Sequence, residues 1–114
     1  MIKVRDFIEN AFSIEDAEVI FSEIQKELKK NKKVTIDFSS IDYYTTLFFN
    51  NAITRFVLSL GKEQFDNTFE IINLSEVGKT TYNHSLDNAM SMLTIPEDRR
   101  EEVASILQKN MEEK

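Results

Sequence analysis

Few side chains of this 114-residue chain could carry out a reaction, and they form no recognisable catalytic set. His84 is the only histidine, and there is no cysteine. A general base needs an orienting partner and a reacting group within hydrogen-bond reach, and the sequence near His84 supplies neither. Helical spacing places His84 opposite an apolar stripe, so we expect it to be exposed. We therefore predict a protein that is not an enzyme and has no catalytic residue.

The sequence predicts no metal and no cofactor. One histidine, no cysteine and scattered carboxylates make a poor set of metal ligands. Gly61 and Gly78 are the only glycines, which are too few for a Walker loop or a dinucleotide-binding fingerprint.

Asp37 is a carboxylate within a segment whose other residues favour a strand, and two interpretations are open. The first is a functional role. The second is that its oxygens accept amide protons from the turn that follows, as aspartate commonly does near turns. We favour the second interpretation.

Thr45 and Thr46 stand at the predicted start of the second helix. Either hydroxyl could cap this helix, and that structural role is the default. The same place also suits an anion, because free N–H groups and the helix dipole would stabilise a phosphate on threonine. Thr46 and, after it, Thr45 are therefore candidate phospho-acceptors.

The outer side of the second helix is a candidate docking surface. Leu47 and Leu58 fall on the side away from the core stripe, with Asn51 and Thr54 between them, and Phe48 lies at the flank of the stripe. An apolar seam beside a modifiable loop is typical of a contact surface. Two alternatives remain open: a C-terminal helix covers the seam, or the exposed leucines have no role. If the seam binds a partner, four residues should be substantially exposed: Leu47, Phe48, Asn51 and Leu58.

The elements that position these residues follow from the apolar spacing. It predicts strands near 2–8, 34–38 and 68–74 and helices near 14–31, 46–60 and 76–92. Ser13 with Asp16, and Ser75, are the predicted caps of the first and third helices. The order is β-α-β-α-β-α, followed by a C-terminal helix over 96–114.

This alternation predicts an α/β fold with a mainly parallel sheet, in one domain that spans 1–114 and has its core in 1–95. Whether the domain has two or three layers is left open. Eight residues should be nearly fully buried: Phe21, Ile24, Ile36, Phe49, Ile53, Phe56, Leu60 and Ile71.

Charge and hydropathy narrow the class of partner. The net charge is −6, which argues against a nucleic-acid binder. Five lysines between residues 26 and 33 are interpreted as charges that favour the end of the first helix. No apolar run approaches the length of a membrane span, and the N-terminal residues show no signal pattern. We expect a cytoplasmic protein that contacts neither nucleic acid nor membrane.

Two segments resemble STAS-type domains. Residues 34–49 read Val-Thr-Ile-Asp-Phe-Ser-Ser-Ile-Asp-Tyr-Tyr-Thr-Thr-Leu-Phe-Phe, and residues 71–76 read Ile-Ile-Asn-Leu-Ser-Glu. In STAS-type domains a strand ending in Asp-hydrophobic-Ser-Gly precedes a short loop and a helix. The chain most resembles the uncharacterised STAS-like branch, whose helix opens with a phenylalanine, here Phe48. Ser40 stands where the family has glycine, so we expect the turn to avoid positive φ at this residue.

The resemblance implies a regulatory interaction module of the anti-sigma factor antagonist kind. Such proteins dock on a serine kinase with a histidine-kinase-like ATPase fold and are switched by phosphorylation at the start of the second helix. Thr46 stands in the place of the acceptor, and Thr45 stands where an aspartate is usual. A small-ligand or nucleotide-binding domain and an immunity or defence accessory protein are the alternatives.

Overall fold

The computed structural model describes residues 1–94, so the C-terminal helix predicted over 96–114 lies outside the described residues. The sheet consists of β1 (Ile2–Lys3), β2 (Val34–Asp37) and β3 (Phe69–Ile72). The helices are α1 (Ile14–Lys30), α2 (Thr46–Ala52), α3 (Arg55–Leu60), α4 (Lys62–Thr68) and α5 (Glu76–Met92).

The three strands are parallel and lie in the order β1-β2-β3. This confirms the predicted parallel pairing of the strands near 34–38 and 68–74 and the α/β class. The first strand is shorter than predicted, because a 3₁₀ turn over Val4–Asp6 follows Lys3 directly. The third strand ends at Ile72 because Asn73 takes a positive φ of 62°, which leaves the extended conformation.

The register separates the residues of the sheet onto two faces. Ile36 lies between Ile2 and Ile71 on the face that packs against the helices. The opposite face includes Thr35 and Glu70, and the Thr35 hydroxyl donates to the Glu70 carboxylate at 3.2 Å. Glu70 is exposed and Thr35 is half-buried. Among the described residues, helices therefore pack against one face of the sheet.

The first and third predicted helices are confirmed together with their caps. The Ser13 hydroxyl accepts from the Asp16 amide at 3.1 Å, and the Asp16 carboxylate accepts from the Ser13 amide at 3.2 Å, which completes a capping box. The Ser75 hydroxyl accepts from the Gly78 amide at 3.1 Å. Both helices thus begin after a hydroxyl cap at the residue that the sequence indicates.

The prediction of a single helix over 46–60 is wrong, because the helix is interrupted at Thr54. The amides of Ile53 and Thr54 both donate to the Phe49 carbonyl at 3.0 Å, which inserts one extra residue into the helical turn. The Thr54 hydroxyl lies 2.7 Å from the Ser85 hydroxyl on α5, and Ser85 in turn donates to Asn50 Oδ1 at 2.6 Å. The break therefore coincides with a buried polar contact between this segment and α5.

The helix α4 was not predicted. It begins after Gly61, whose φ of 83° turns the chain between α3 and α4 in a conformation that other residues rarely adopt. Its apolar side chain Phe65 is buried and stacks on Phe69 at the start of β3, with ring centroids 4.7 Å apart. The polar sequence around Phe65 contains one inward apolar residue, which is too short a pattern to predict a helix.

Most of the predicted core is confirmed, and three residues depart from it. The buried members are Ile24, Ile36, Phe49, Ile53 and Phe56. Phe21 and Ile71 are only half-buried, although both pack against the core. The prediction for Leu60 is wrong: it is 38% exposed at the last residue of α3, where Gly61 turns the chain away.

Candidate functional site

The carboxyl ends of the strands and the N-termini of α1, α2 and α5 meet at one end of the molecule. In parallel α/β sheets this is the end where ligands usually bind. The loop between β2 and α2, residues 38–45, belongs to this end. Two backbone hydrogen bonds tie it to the loop before α1, from the Ala11 amide to the Tyr43 carbonyl at 3.0 Å and from the Thr45 amide to the Ala11 carbonyl at 2.9 Å.

Asp37 holds the turn after β2 and anchors it to the end of β3. Its Oδ1 accepts from the Ser39 amide at 2.9 Å, from the Ser39 hydroxyl at 2.6 Å and from Asn73 Nδ2 at 2.9 Å. These bonds, with the Ser39 hydroxyl contributing most, lower the pKa of Asp37 below its usual value, and the charge of Lys3 adds a smaller effect in the same direction. The turn-forming interpretation of Asp37 is confirmed.

The backbone around this network is in an unusual conformation at two residues that are not glycine. Ser40 has a φ of 67° and Asn73 has a φ of 62°. The expectation that Ser40 would avoid positive φ is therefore wrong. The Ile41 amide donates to the Phe38 carbonyl at 3.1 Å, and Arg5 donates to the Ser40 carbonyl at 3.3 Å, so the closed turn compensates a conformation that costs about 1–2 kcal/mol.

The two threonines have different environments. Thr45 caps α2, since its hydroxyl accepts from the Phe48 amide at 3.0 Å, and the same hydroxyl donates to the Phe12 carbonyl at 2.6 Å. Thr46 is the first residue of α2 and is half-buried. Within residues 1–94 its hydroxyl makes no hydrogen bond of its own. The structural role predicted for this pair belongs to Thr45.

The predicted docking surface is only partly formed. Phe48 is completely buried, with its ring edge-on to Phe38 and Phe49 at centroid distances of 6.3 and 5.5 Å, so the prediction that it is exposed is wrong. The physical reason is that α2 lies between α1 and α5, which cover it from two sides.

The other members of that predicted surface are half-buried, and the helix break separates them. Leu47 and Asn51 lie on α2, where Asn51 Nδ2 donates to the Leu47 carbonyl at 2.8 Å. Leu58 lies on α3, beyond the break. Thr54, which was predicted to lie between them on the outer side, is buried against Ser85. A continuous seam from Leu47 to Leu58 is therefore absent from the described structure.

Three exposed apolar residues that the sequence analysis missed lie at this same end. Phe12 is 57% exposed, Tyr43 is 64% exposed and Val77 is 66% exposed. The carbonyl groups of Phe12 and Tyr43 are held by the hydrogen bonds that join the two loops. Val77 lies in the first turn of α5. The sequence contained a signal for two of these residues, because Phe12 and Tyr43 are large apolar residues in loops and belong to no predicted apolar stripe.

Gly78 fixes the position of α5 beside this loop. A Cβ atom at residue 78 would lie 2.8 Å from the Tyr44 Cζ atom, which is closer than packed atoms approach. The Tyr44 hydroxyl donates to the Ile41 carbonyl at 2.8 Å, and its ring stacks on Phe49 at a centroid distance of 6.0 Å. The absence of a side chain at Gly78 thus lets α5 approach the ring of Tyr44 and places Val77 at the exposed edge.

Other features of the described chain lie away from this end. His84 is exposed, as predicted. A surface depression of about 520 Å³ is lined by residues between Leu60 and Asn67, where α4 leads into the amino end of β3. Residues 1–94 contain no group of three or more metal-ligating side chains. None of the helices described is both long and apolar enough to cross a bilayer.

A parallel three-stranded sheet, with helices on one face and a polar turn at its carboxyl end, defines the described chain as a small α/β domain. Residues 16–79 match the family model of the STAS-like domain of unknown function (DUF4325), and the chain belongs to this family. No curated protein and no solved structure gives a significant match.

Proposed function

We propose that this STAS-like domain is a non-catalytic regulatory module that binds a protein partner through the docking end, defined as Phe12, Tyr43, Thr46 and Val77. The observation that carries the proposal is the exposure of three large apolar side chains around the start of α2. Their exposure is unfavourable in water, and an apolar partner surface would remove it. The hydrogen-bonded loops hold Phe12 and Tyr43 in place before any partner arrives.

The partner that we propose is a serine kinase with a histidine-kinase-like ATPase fold. This choice rests on the resemblance of the strand-loop-helix segment to anti-sigma factor antagonists, which bind such a kinase with the corresponding region. The acidic net charge of −6 argues against nucleic acid as the partner. The burial of Phe48 moves the proposed contact from the outer side of α2 to the loops that precede it.

Thr46 is the proposed phospho-acceptor within the docking end. The hydroxyl of Thr45 already makes two hydrogen bonds, so modification there would remove the cap of α2 and the link to Phe12. A phosphate on Thr46 would leave both bonds in place. Its negative charge is favoured at the start of a helix, by about 0.3–1 kcal/mol. The same charge would weaken an apolar contact beside it.

Binding of the purified domain to a purified kinase of this class, measured by calorimetry, tests the proposal. We expect Tyr43→Asp and Phe12→Asp each to weaken binding at least about tenfold, which corresponds to about 1.4 kcal/mol. Val19→Asp is the matched control, because Val19 is 41% exposed in the second turn of α1, outside the loops that contain Phe12 and Tyr43. We expect it to bind like the unchanged protein.

Phosphorylation is tested with Thr46→Glu beside Thr46→Val. We expect the glutamate to weaken binding and the valine to preserve it, while thermal melting stays nearly unchanged in both. Equal binding by Tyr43→Asp, Phe12→Asp and the unchanged protein would refute the docking end. Binding of a nucleotide by the isolated domain would instead favour the small-ligand alternative.

A further inference from the structure

We propose that the outer edge of β3 is a self-association site, at which β3 of a second copy pairs antiparallel and joins two sheets into one of six strands. The site lies at the lateral edge of the sheet and is separate from the docking end. It therefore does not depend on the function proposed above.

The direction of the backbone groups of β3 follows from one hydrogen bond. The Ile72 carbonyl accepts from the Phe38 amide at 3.0 Å, so it points towards β2. All peptide bonds described are trans, so the N–H of Asn73 points the opposite way. Alternation along the strand then directs the carbonyls of Phe69 and Ile71 and the N–H of Ile71 away from the sheet as well.

These four outward groups have no hydrogen-bond partner within the described part of the chain. The N–H of Phe69 is different, because it donates to the Phe65 carbonyl at the end of α4. The outward edge is therefore limited to a short run, from the carbonyl of Phe69 to the N–H of Asn73. Unpaired backbone groups at a sheet edge are a template for pairing with another strand.

The strand has two of the usual protections of a sheet edge, since it is only four residues long and contains the charged Glu70. Its sequence, Phe-Glu-Ile-Ile, lacks the others that belong to the strand itself, which are lysine, proline and a bulge. Ile71 and Ile72 are each half-buried, one on each face of the sheet. A neighbouring strand would cover both side chains further. A sheet of three strands is also small, whereas six strands fall within the common range.

A second copy is the occupant that the pattern of the edge fits. From Phe69 to Asn73, the outward groups are the Phe69 carbonyl, the Ile71 N–H, the Ile71 carbonyl and the Asn73 N–H, so acceptors and donors alternate. A two-fold axis through Ile71 places each acceptor of one copy opposite a donor of the other. All four groups therefore pair. Glu70 then lies opposite Ile72 of the other copy rather than opposite a second glutamate, which avoids direct like-charge repulsion. The contact is isologous, and it closes after two copies.

Hydrogen exchange of individual amides, followed by NMR together with sedimentation, tests this proposal in the full chain. We expect the mass to rise with concentration from 13.3 kDa towards twice that value. The Ile71 amide should exchange rapidly in dilute protein and slowly in concentrated protein. The amides of Glu70 and Ile72 point towards β2 and serve as internal controls, because they should be protected at both concentrations.

A pair of proline variants provides the second test. Ile71→Pro removes an outward N–H and should abolish the dimer while the domain stays folded. Ile72→Pro removes an inward N–H of the ladder and should lower the melting temperature strongly. If Ile71→Pro itself fails to fold, the exchange measurement alone decides.

Three outcomes would overturn the proposal. The first is a chain that remains monomeric at every concentration, with rapid exchange at Ile71. The second is protection of the Ile71 amide in dilute protein, which would mean that the same chain covers the edge. The third is a dimer in which the Ile71 amide stays unprotected, which would place the interface elsewhere.

Discussion

The two connections between neighbouring strands of the sheet differ in construction. The first crossover, from β1 to β2, contains the uninterrupted 17-residue helix α1. The second crossover, from β2 to β3, contains three helices of seven, six and seven residues, separated at Thr54 and Gly61. Both crossovers connect neighbouring parallel strands, so the strand topology does not explain why one contains a single helix and the other contains three.

Burial explains why the crossovers differ. The helix α1 buries one face, with Ala17, Ile20 and Ile24 at helical spacing, and keeps its other face in solvent. In the second crossover α2 packs between α1 and α5, and its neighbouring residues Phe48 and Phe49 are both completely buried. The second crossover therefore buries α2 on two sides, whereas the first buries one face of α1.

The polar contact that accompanies the bend joins Thr54, Ser85 and Asn50. Each hydroxyl has one proton, so when Ser85 donates to Asn50, the Thr54 proton is shared between the Ser85 hydroxyl at 2.7 Å and the Phe49 carbonyl at 3.2 Å. Thr54 and Ser85 are 1% and 0% exposed, and both would be costly to bury without partners. The second crossover therefore combines aromatic packing with a buried hydroxyl pair, whereas the first depends on a single apolar stripe.

The largest expected effect tests the aromatic packing of the second crossover. Phe49 lies within about 6 Å of the ring centroids of Phe38, Tyr44, Phe48 and Tyr82. We expect Phe49→Ala to lower the free energy of unfolding by about 3–5 kcal/mol, through lost transfer energy and the cavity left behind. Chemical denaturation measures this loss.

The matched control for Phe49 is Val19→Ala on the exposed side of α1. Val19 is 41% exposed, so its truncation should change the free energy of unfolding by no more than about 0.5 kcal/mol. Similar losses for the two variants would show that Phe49 is not buried in the aromatic packing of the second crossover.

A smaller effect tests the turn from which the second crossover begins. Asp37→Asn removes the charge that three hydrogen bonds stabilise, and hydrogen bonds to charged groups are worth about 1.5–3 kcal/mol. Because the folded pKa of Asp37 lies below its usual value of 3.8, the unfolded chain binds more protons between the two values. The stabilisation is present above about pH 4 and is lost as the pH falls through the folded pKa.

Denaturation of both proteins at several pH values measures this dependence. The difference between the unchanged protein and Asp37→Asn should be largest near neutral pH and should shrink in acid. Asp42→Asn is the control, because Asp42 is exposed in the same loop. A difference that stays constant between pH 7 and pH 2 would mean that the charge of Asp37 does not stabilise the turn.

The sequence predicted the structure correctly where the prediction depended on residues close together in the chain. The capping box of Ser13 and Asp16, the first helix and the cap at Ser75 all use local patterns, and all three are confirmed. The parallel sheet followed from the alternation of strands and helices. The role of Asp37 in its turn was also local, since the Ser39 amide and hydroxyl lie two residues away.

The incorrect predictions share a dependence on distant contacts. The break at Thr54 involves Ser85, which lies 31 residues further along the chain. Phe48 is buried because α1 and α5 both pack on α2, and spacing within one helix contains no information about a second neighbour. Ser40 adopts a positive φ although serine disfavours it, because Arg5 and the closed turn hold it. Phe12 and Tyr43 were missed as exposed apolar residues because loops have no periodicity to analyse.

The smallest expected effect compares the caps of the two crossovers. Ser13→Ala removes a hydroxyl that bonds within its own helix start, and such a change typically costs about 1 kcal/mol. Thr45→Ala removes an equivalent cap and also the bond to the Phe12 carbonyl, which lies 33 residues away in the first crossover. That second bond should add about 0.5–1.5 kcal/mol, so Thr45→Ala should be the more destabilising variant. Thr45→Ser keeps both bonds and should lie close to the unchanged protein. If Ser13→Ala and Thr45→Ala unfold at the same denaturant concentration, the Thr45 hydroxyl acts only as a local cap. The loops at the docking end would then be held together by their backbone hydrogen bonds alone.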